Sequence, residues 1–264
     1  MKRIFLLIAM SALIFSTVFA TEPVLSKNSN DEVLISQDDQ DDDRAEKRRR
    51  SRRRFTPHWS GFEFGMNNYM TPDNSFSLPS ELSYLDLNTG KSFNVNLNIA
   101  QVGLGLTRRF GLVTGLGFEF NDYKFEGNNN ITKDADGVII PLYPDAGIEY
   151  DKSKLSTVYF TVPVLLELQI PVSSYRTINI AAGGIGGVKL GSHSKVVYHD
   201  GGKQKIKEND DFSLNILRYG PTVRVGYEEF QIYATYYLNG LFIENKGPEL
   251  YPVQIGVSFS FNHW

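Results

Sequence analysis

Residues 110–120 read Phe-Gly-Leu-Val-Thr-Gly-Leu-Gly-Phe-Glu-Phe, and they alternate between large apolar side chains and small or polar ones. One parity carries Phe110, Leu112, Leu116, Phe118 and Phe120. The other parity carries Gly111, Gly115, Gly117, Glu119 and Asn121. A repeat of two residues is the period of a β-strand, because successive side chains point to opposite faces. The stretch therefore predicts a strand with one apolar face and one narrow, polar face.

The same period recurs along the chain from His58 onward. It is regular in residues 158–170, 230–238 and 253–261, and weaker in residues 59–67, 92–107, 177–190 and 212–227. The phase changes near Ala100 and near Leu217. A β-bulge changes the phase in this way because it adds one residue to one strand. The pattern predicts about eight strands, the smallest number usual for a membrane barrel.

The connections between these segments alternate in length. The short ones are 107–110, 171–175 and 226–229, and the long ones are 68–91, 126–154, 192–211 and 239–251. Outer-membrane barrels have short periplasmic turns and long outer loops, whereas a soluble sandwich has no reason to alternate its loops. An even strand count also leaves both chain ends on the periplasmic side. We therefore expect an all-β, antiparallel, up-and-down transmembrane β-barrel of about eight strands.

Isolated charges lie on the polar parity of several strands. They are Glu63, Glu119, Glu167, Lys189 and Arg224. In a sandwich this parity would meet water and should hold more Lys and Glu, whereas in a barrel it lines the lumen. We expect the five charges to form a paired network, since an eight-stranded lumen is only wide enough for side chains. The alternative is a gated conduit for small ions, lined by the same charges.

The first residues have the pattern of a secretory signal peptide. Lys2 and Arg3 begin it, residues 4–19 are apolar, and small residues precede a cleavage site after Ala20. An uncleaved anchor is the alternative, but the acidic stretch that follows favours cleavage. We expect a signal peptide in residues 1–20, a charged, disordered periplasmic tether in residues 21–57 and a barrel domain in residues 58–264. The protein would then lie in the outer membrane of a Gram-negative cell.

The expected tether combines an acidic block, residues 38–43, with a basic block, residues 47–54. Blocks of like charge do not fold alone. The segment is either solvated and self-pairing or a docking strip for a periplasmic partner or an anionic polymer. Nucleic acid is excluded as a partner because export removes the chain from it. The candidate contact residues are Arg48, Arg49, Arg50, Arg52, Arg53 and Arg54.

Catalytic and metal-binding patterns are weak. The chain of 264 residues has a formal net charge of −3 and no cysteine, which excludes disulfides, thiolate metal sites and a cysteine nucleophile. It contains neither a Gly-x-Ser-x-Gly elbow nor a His-Glu-x-x-His zinc motif. Residues 134–137, Asp-Ala-Asp-Gly, match only a fragment of a calcium loop and predict a turn. His199 beside Asp200, with Asp210 and Asp211 further on, is a common grouping in polar loops. We expect a non-enzymatic protein without a metal or cofactor.

Five stretches carry a resemblance to a known family: residues 111–120, 161–167, 218–220, 223–227 and 247–250. With these stretches the chain resembles the PorT-like family of outer-membrane β-barrels over roughly residues 59–261. The resemblance implies an OmpX-like or OmpA-like eight-stranded barrel, and some relatives are attached to a secretion apparatus. The expected partners are outer-membrane lipid and lipopolysaccharide, the barrel-insertion machinery and a periplasmic or secretion-system protein.

Aromatic residues raise two further expectations. Outer-membrane barrels commonly end on an aromatic residue in phase with the last apolar face; here Phe261 has that phase and Trp264 does not. Either Phe261 serves as the insertion signal or the strand end bends. Five aromatic residues lie near the proposed strand ends, and the sequence fits both an interfacial girdle and ordinary loop packing for them: Trp59, Tyr69, Tyr150, Tyr159 and Tyr175.

Overall fold

The computed structural model describes residues 55–172 and 176–261. Two short 3-10 helices, Ser80–Leu85 and Thr89–Lys91, lie between the first two strands. None of the helices in these two ranges is long and apolar enough to cross a membrane. The strands are β1 Gly61–Met70, β2 Phe93–Gly105, β3 Phe110–Lys124, β4 Asn130–Lys133, β5 Ile139–Leu142, β6 Tyr150–Pro171, β7 Thr177–His199, β8 Lys203–Asn209, β9 Leu217–Tyr227, β10 Phe230–Tyr236 and β11 Tyr251–Ser260.

Eight of these strands close into a ring. Each pairs antiparallel with its neighbour in the order β1-β2-β3-β6-β7-β9-β10-β11, and β11 pairs back onto β1 from Gly61–Ser260 to Met70–Tyr251. A closed ring leaves no unpaired edge, which is the condition for a sheet to cross a bilayer. The expected all-β, up-and-down barrel of about eight strands is confirmed.

The two faces of the ring differ as the alternation predicts. The apolar residues of β1 point outward, with Phe64 49% and Met66 51% exposed, whereas Glu63, the residue before Phe64, is buried. Outward-facing apolar side chains occur on all eight strands. Examples from the other seven are Val102, Leu116, Val164, Leu190, Val225, Ile232 and Ile255. We call this ring of side chains the apolar belt, and it suits contact with lipid rather than water.

The phase change near Ala100 is a β-bulge. The register between β2 and β3 shifts between Asn98 and Ala100, as expected. The change near Leu217 has a different cause, so the interpretation as a bulge was wrong there. β9 begins at Leu217 and alternates regularly, whereas Phe212 and Ser213 before it have left-handed φ values of 48° and 46°. These residues therefore belong to a loop that leads into the strand.

The long connections contain more strand than the sequence predicts. β6 begins at Tyr150 and β7 runs on to His199, so these two strands project past the apolar belt. β8 folds back along the end of β7, and β4 pairs with β5 as a hairpin. The short connections remain short, so the barrel has a long-loop end and a short-turn end. Long and short connections alternate as the sequence indicates.

Buried loop side chains form a hydrophobic cluster at the long-loop end. Tyr69, Leu85, Phe125 and Leu155 come from the ends of strands and the first long loop. We call the cluster the loop core, and its remaining members are Tyr123, Ile131, Ile139, Phe212, Leu214, Leu241, Phe242 and Leu250. Burial of this many apolar side chains stabilises the loops as one packed unit. The loop core thus lies beyond the lumen at that end.

Candidate functional site

The first charged cluster in the lumen joins β1 to β9. Glu63 Oε1 lies 2.5 Å from Arg224 Nη1, and both side chains are almost completely buried. Asn96 and Asn98 on β2 donate to the two oxygens of the same carboxylate at 2.8 Å and 2.6 Å. The Glu63 carboxylate therefore has partners at both oxygens, which is what a buried charge requires.

The Arg224 guanidinium also has aromatic neighbours. Its central carbon lies 4.3 Å from the Trp59 ring and 5.3 Å from the Tyr233 ring. A cation over an aromatic face is stabilised by the ring quadrupole, and the effect grows when water is excluded. The arginine is thus held by a carboxylate and two rings, each from a different part of the chain.

The second cluster is centred on Glu119 of β3. Arg218 Nη1 lies 2.8 Å from Glu119 Oε1, and the Tyr237 hydroxyl donates to Glu119 Oε2 at 2.6 Å. Gln254 and Asn121 donate to Oε1 at 2.7 Å and 2.8 Å. The Arg218 guanidinium lies 3.6 Å from the Tyr237 ring centre. The two clusters together fill the middle of the barrel with paired charge.

Arg218 was missed in the sequence. Its parity on β9 is the same as that of Arg224, so the alternation of the strand alone would have placed it in the lumen. The phase change assigned near Leu217 put the residue at a discontinuity and hid the signal. A strand starting at Leu217 would have placed both arginines on the inner face with the glutamates.

Glu167 lies at the short-turn end, where the chain enters the barrel. Its carboxylate accepts the His58 backbone N–H at 3.0 Å and contacts His58 Nδ1 at 2.6 Å. Gln169 donates to the same carboxylate at 2.7 Å. Trp59 follows, 1% exposed, and its backbone N–H donates to Gln101 at 2.7 Å. The segment His58–Trp59 therefore fills the lumen at this end.

Glycine makes room for that segment. A Cβ added at Gly115 would lie 2.4 Å from Trp59 Cδ1 and 2.4 Å from the Ala100 carbonyl oxygen, too close for any side chain. A Cβ at Gly103 would lie 2.9 Å from the Pro57 ring. Residues 55–57, which the sequence assigns to the tether, thus lie against the barrel wall. The glycines of the polar parity create the space that these residues occupy.

Lys189 lies apart from the paired carboxylates. Its Nζ donates to the carbonyl oxygens of Leu214 at 2.9 Å and Asp211 at 3.1 Å, which belong to the loop before β9. The side chain is half-buried at the long-loop end of β7. Of the five charges predicted for the lumen, the structure therefore places Glu63, Glu119, Glu167 and Arg224 inside and Lys189 under the loops. The six tether arginines lie outside the described residues.

The polar loop groups form ordinary pairs. His199 Nδ1 lies 2.8 Å from Asp151 Oδ2, with both side chains largely exposed, rather than beside Asp210 or Asp211. Lys133 contacts both of those aspartates, at 2.8 Å and 2.6 Å. Its hydrogen bond and that of the Ser213 N–H hold the pKa of Asp211 below its usual value. The described residues hold no group of three or more His, Asp or Glu that could bind a metal ion.

Residues 134–137 form the turn of the β4–β5 hairpin. Gly137 N–H donates to the Asp134 carbonyl at 3.0 Å, and the Asp134 side chain accepts the backbone N–H groups of Asp136 and Val138. The carboxylate is therefore used within the turn, as the sequence predicts. Asp134 resembles other aspartates that stabilise turns by bonding to the backbone two residues on.

Of the two alternatives left open for the aromatic residues near the strand ends, the interfacial girdle does not hold for three of the five. Trp59 and Tyr159 are buried in the lumen, and Tyr69 is buried in the loop core with its hydroxyl bonded to the Leu85 carbonyl. Tyr150 is half-buried beside Tyr198, and Tyr175 lies outside the described residues. Phe261 is 57% exposed and keeps the outward phase of Phe259, while Trp264 is not described.

Several solved structures are similar to this chain, among them one from Yersinia pestis and one from Salmonella typhi. Ail, the attachment invasion locus protein of Yersinia pestis solved with the heparin analogue sucrose octasulfate, is 12% identical, with 76% of this chain and 96% of that chain covered and a TM-score of 0.28. The outer membrane phospholipase dimer of Salmonella typhi with bound calcium is 10% identical, with 78% and 92% covered and a TM-score of 0.22. No curated protein matches the chain.

A family model supplies the assignment. The model described as "Outer membrane protein beta-barrel domain" matches residues 47–244, most of the chain of 264 residues. The matched region contains all the strands from β1 to β10. With a closed eight-stranded ring, an apolar belt and a charged, filled lumen, the chain belongs to the outer membrane protein β-barrel domain family.

Proposed function

We propose that the protein is a non-enzymatic, PorT-like outer-membrane barrel with a structural or interaction role. The observation that carries the proposal is that the lumen is filled along its length. His58 and Trp59 occupy the short-turn end, two ion pairs occupy the middle, and the loop core covers the long-loop end. An interior built of paired charges and packed rings favours a rigid scaffold over a conduit for solutes.

In this proposal the long loops face the outside and the two chain ends face the periplasm. The alternation of loop lengths supports this orientation. Single cysteines provide the test, because the chain has none of its own. Lys203→Cys at the start of β8 should react with a membrane-impermeant maleimide in intact cells, and Arg108→Cys in a short turn should react only after lysis. The reverse pattern would overturn the orientation.

A role as a component of a secretion or transport assembly is the second candidate. It is favoured by the fixed entry point of the chain, since Glu167 accepts the His58 backbone N–H and Gln169 donates to the Thr56 carbonyl. The basic block would then leave the barrel at one defined place, where a periplasmic partner could bind it. The contact residues proposed are Arg48, Arg49, Arg50, Arg52, Arg53 and Arg54.

Cross-linking in intact cells separates the two candidates. For the assembly component, the barrel purified from the outer membrane should carry a stoichiometric periplasmic or secretion partner. Replacing the six arginines with glutamine should remove that partner while the barrel level in the membrane stays unchanged. Recovery of the barrel alone would favour an autonomous protein that acts through its outer loops.

A further inference from the structure

Four lysines lie in one row across four adjacent strands. Lys124 on β3 is directly opposite Lys154 on β6, which is opposite Lys195 on β7, which is opposite Lys207 on β8. Directly paired residues share a face of the sheet, and neighbouring strands are about 4.8 Å apart. The four side chains, which we call the lysine row, therefore span about 14 Å along one face.

The lysine row shares its face with the apolar belt. Lys124 is in phase with Phe120, and Lys154 is in phase with Val158 and Val162, all of which lie on the outward face. Phe120 and Val158 are themselves opposite each other. Lys124 is four residues from Phe120 and Lys154 is four residues from Val158, or about 13 Å along each strand. The row thus follows the edge of the belt at the long-loop end.

Like charges directly opposite each other destabilise a sheet. Within the described ranges, Lys154 is the one member of the row with an ion pair, to Asp122 one row nearer the belt. Lys152, also on β6, adds a fifth positive charge next to the row. Its pKa is lowered first by burial and then by the charge of Lys154. Asp122 acts on Lys152 and Glu126 acts on Lys124 as nearby acidic groups, and Glu208 and Asp151 are the chain neighbours of Lys207 and Lys152. Positive charge is therefore in excess, and an anion bound along the row would relieve the repulsion.

We propose that the lysine row binds the phosphate groups of a phosphorylated lipid in the outer leaflet. This inference rests on the orientation in the proposed function, which places the row at the headgroup level above the belt. Acyl chains against the belt and phosphates against the row would engage one continuous surface. Lysine binds phosphate because its ammonium is a compact point charge with three hydrogen-bond donors. The row would thereby fix the height and tilt of the barrel in the bilayer.

Purified full-length protein in detergent provides the test, with native mass spectrometry reporting bound lipid. The probe is bisphosphorylated lipid A, compared with the same lipid after enzymatic removal of its phosphates. Wild type should retain the phosphorylated form and bind the dephosphorylated form at least about tenfold more weakly. In the triple variant Lys124→Gln, Lys195→Gln, Lys207→Gln, binding of the phosphorylated form should fall roughly a hundredfold, because each lysine contributes about fivefold near an anionic surface.

Lys154 is left unchanged in this variant because it contacts Asp122. The matched control is Arg108→Gln, Arg109→Gln, Lys203→Gln, which removes the same charge from exposed positions outside the row. Heat-modifiable migration on a gel confirms that each variant is folded. Equal lipid A binding by the row variant and the control would overturn the inference, as would equal binding of the two lipids by wild type.

Water-soluble polyphosphate serves as a competitor. Suppose that polyphosphate displaces the lipid completely, and that its own binding falls in the row variant as much as lipid binding does. The row is then a site for soluble polyanions, and the assignment to lipid is wrong. The cysteine-labelling experiment is independent of these outcomes. Reversed labelling would overturn the orientation itself, whereas correct labelling with unchanged lipid binding would overturn the lysine row alone.

Discussion

Arg224 illustrates how one side chain links distant parts of the chain. It contacts Glu63 on the opposite part of the ring, and its guanidinium lies over the Trp59 ring from the segment that enters the barrel. Removing water from two charges is costly, and the cost is offset only when both remain paired. The pair therefore fixes the packing of the lumen more than it adds stability beyond that of an apolar pair.

If the pair acts in this way, removing only the arginine should lower the free energy of unfolding much more than replacing both members of the pair. Arg224→Met should lower the free energy of unfolding by about 3–5 kcal/mol, because Glu63 remains buried without its cation. When Glu63→Gln is combined with Arg224→Met, the double variant should recover most of the lost free energy of unfolding. Urea unfolding in lipid vesicles, followed by the change in gel migration, measures both. A double variant as unstable as the sum of its single variants would contradict the prediction.

The contact between Lys133 and Asp211 should make the stability of the loops depend on pH. The pKa of Asp211 is lowered in the folded protein, first by the Lys133 hydrogen bond and then by the Ser213 N–H. The stabilisation is present above the unfolded pKa of about 3.9 and is lost as the pH falls through the lower folded pKa. Lys133→Met should raise the pKa of the Asp211 carboxyl, measured by NMR titration of the labelled side chain. Asp134→Asn, which removes a carboxyl that Lys133 does not bind, should leave that titration unchanged.

At the scale of the element, the loop core converts four irregular connections into one packed unit. Phe242 from the last long loop is 4% exposed and lies in the same cluster as Phe125. A Cβ at Gly247 would lie 2.7 Å from the Phe242 ring, so the loop is closely fitted around this side chain. The loops should therefore resist proteases for as long as the cluster stays intact.

Phe242→Ala tests that dependence. The substitution removes a buried ring and should destabilise the loop core by about 3–5 kcal/mol. The loops should then be cut by added protease while the strands of the barrel remain protected. The control is Phe76→Ala, since Phe76 is 56% exposed in the first long loop. Equal protease resistance of the two variants would show that the loops are held by other contacts.

The barrel strands were predictable from the sequence, but the loops were not. Alternation placed Glu63, Glu119, Glu167 and Arg224 on the inner face because each strand has a fixed period of two. A loop has no such period, so nothing in the sequence indicated that Phe125 and Phe242 share a cluster. The same limit applies to side chains just outside a strand, such as Trp59. An aromatic residue at a strand end fits a girdle and a lumen equally well until the partner glycine, Gly115, is known.

At the scale of the whole molecule, the barrel is closed by three different structures. The segment at the short-turn end is held by Glu167 and Gln101, the middle by two ion pairs, and the long-loop end by hydrophobic packing. These closures use different chemistry. Loss of one would leave the others in place, so the lumen should remain impermeable after any single local change.

Planar-bilayer recordings test this independence. Wild type should show no stepwise conductance, and neither should Trp59→Ala, because the Glu119–Arg218 and Glu63–Arg224 pairs and the loop core still fill the path. The same preparation must migrate as a heat-modifiable band, which shows that folded barrel was added. An open porin in the same bilayer is the control for insertion. Stepwise conductance by wild type would mean that the charges line a conduit, and the gated-pore interpretation would then replace the closed scaffold.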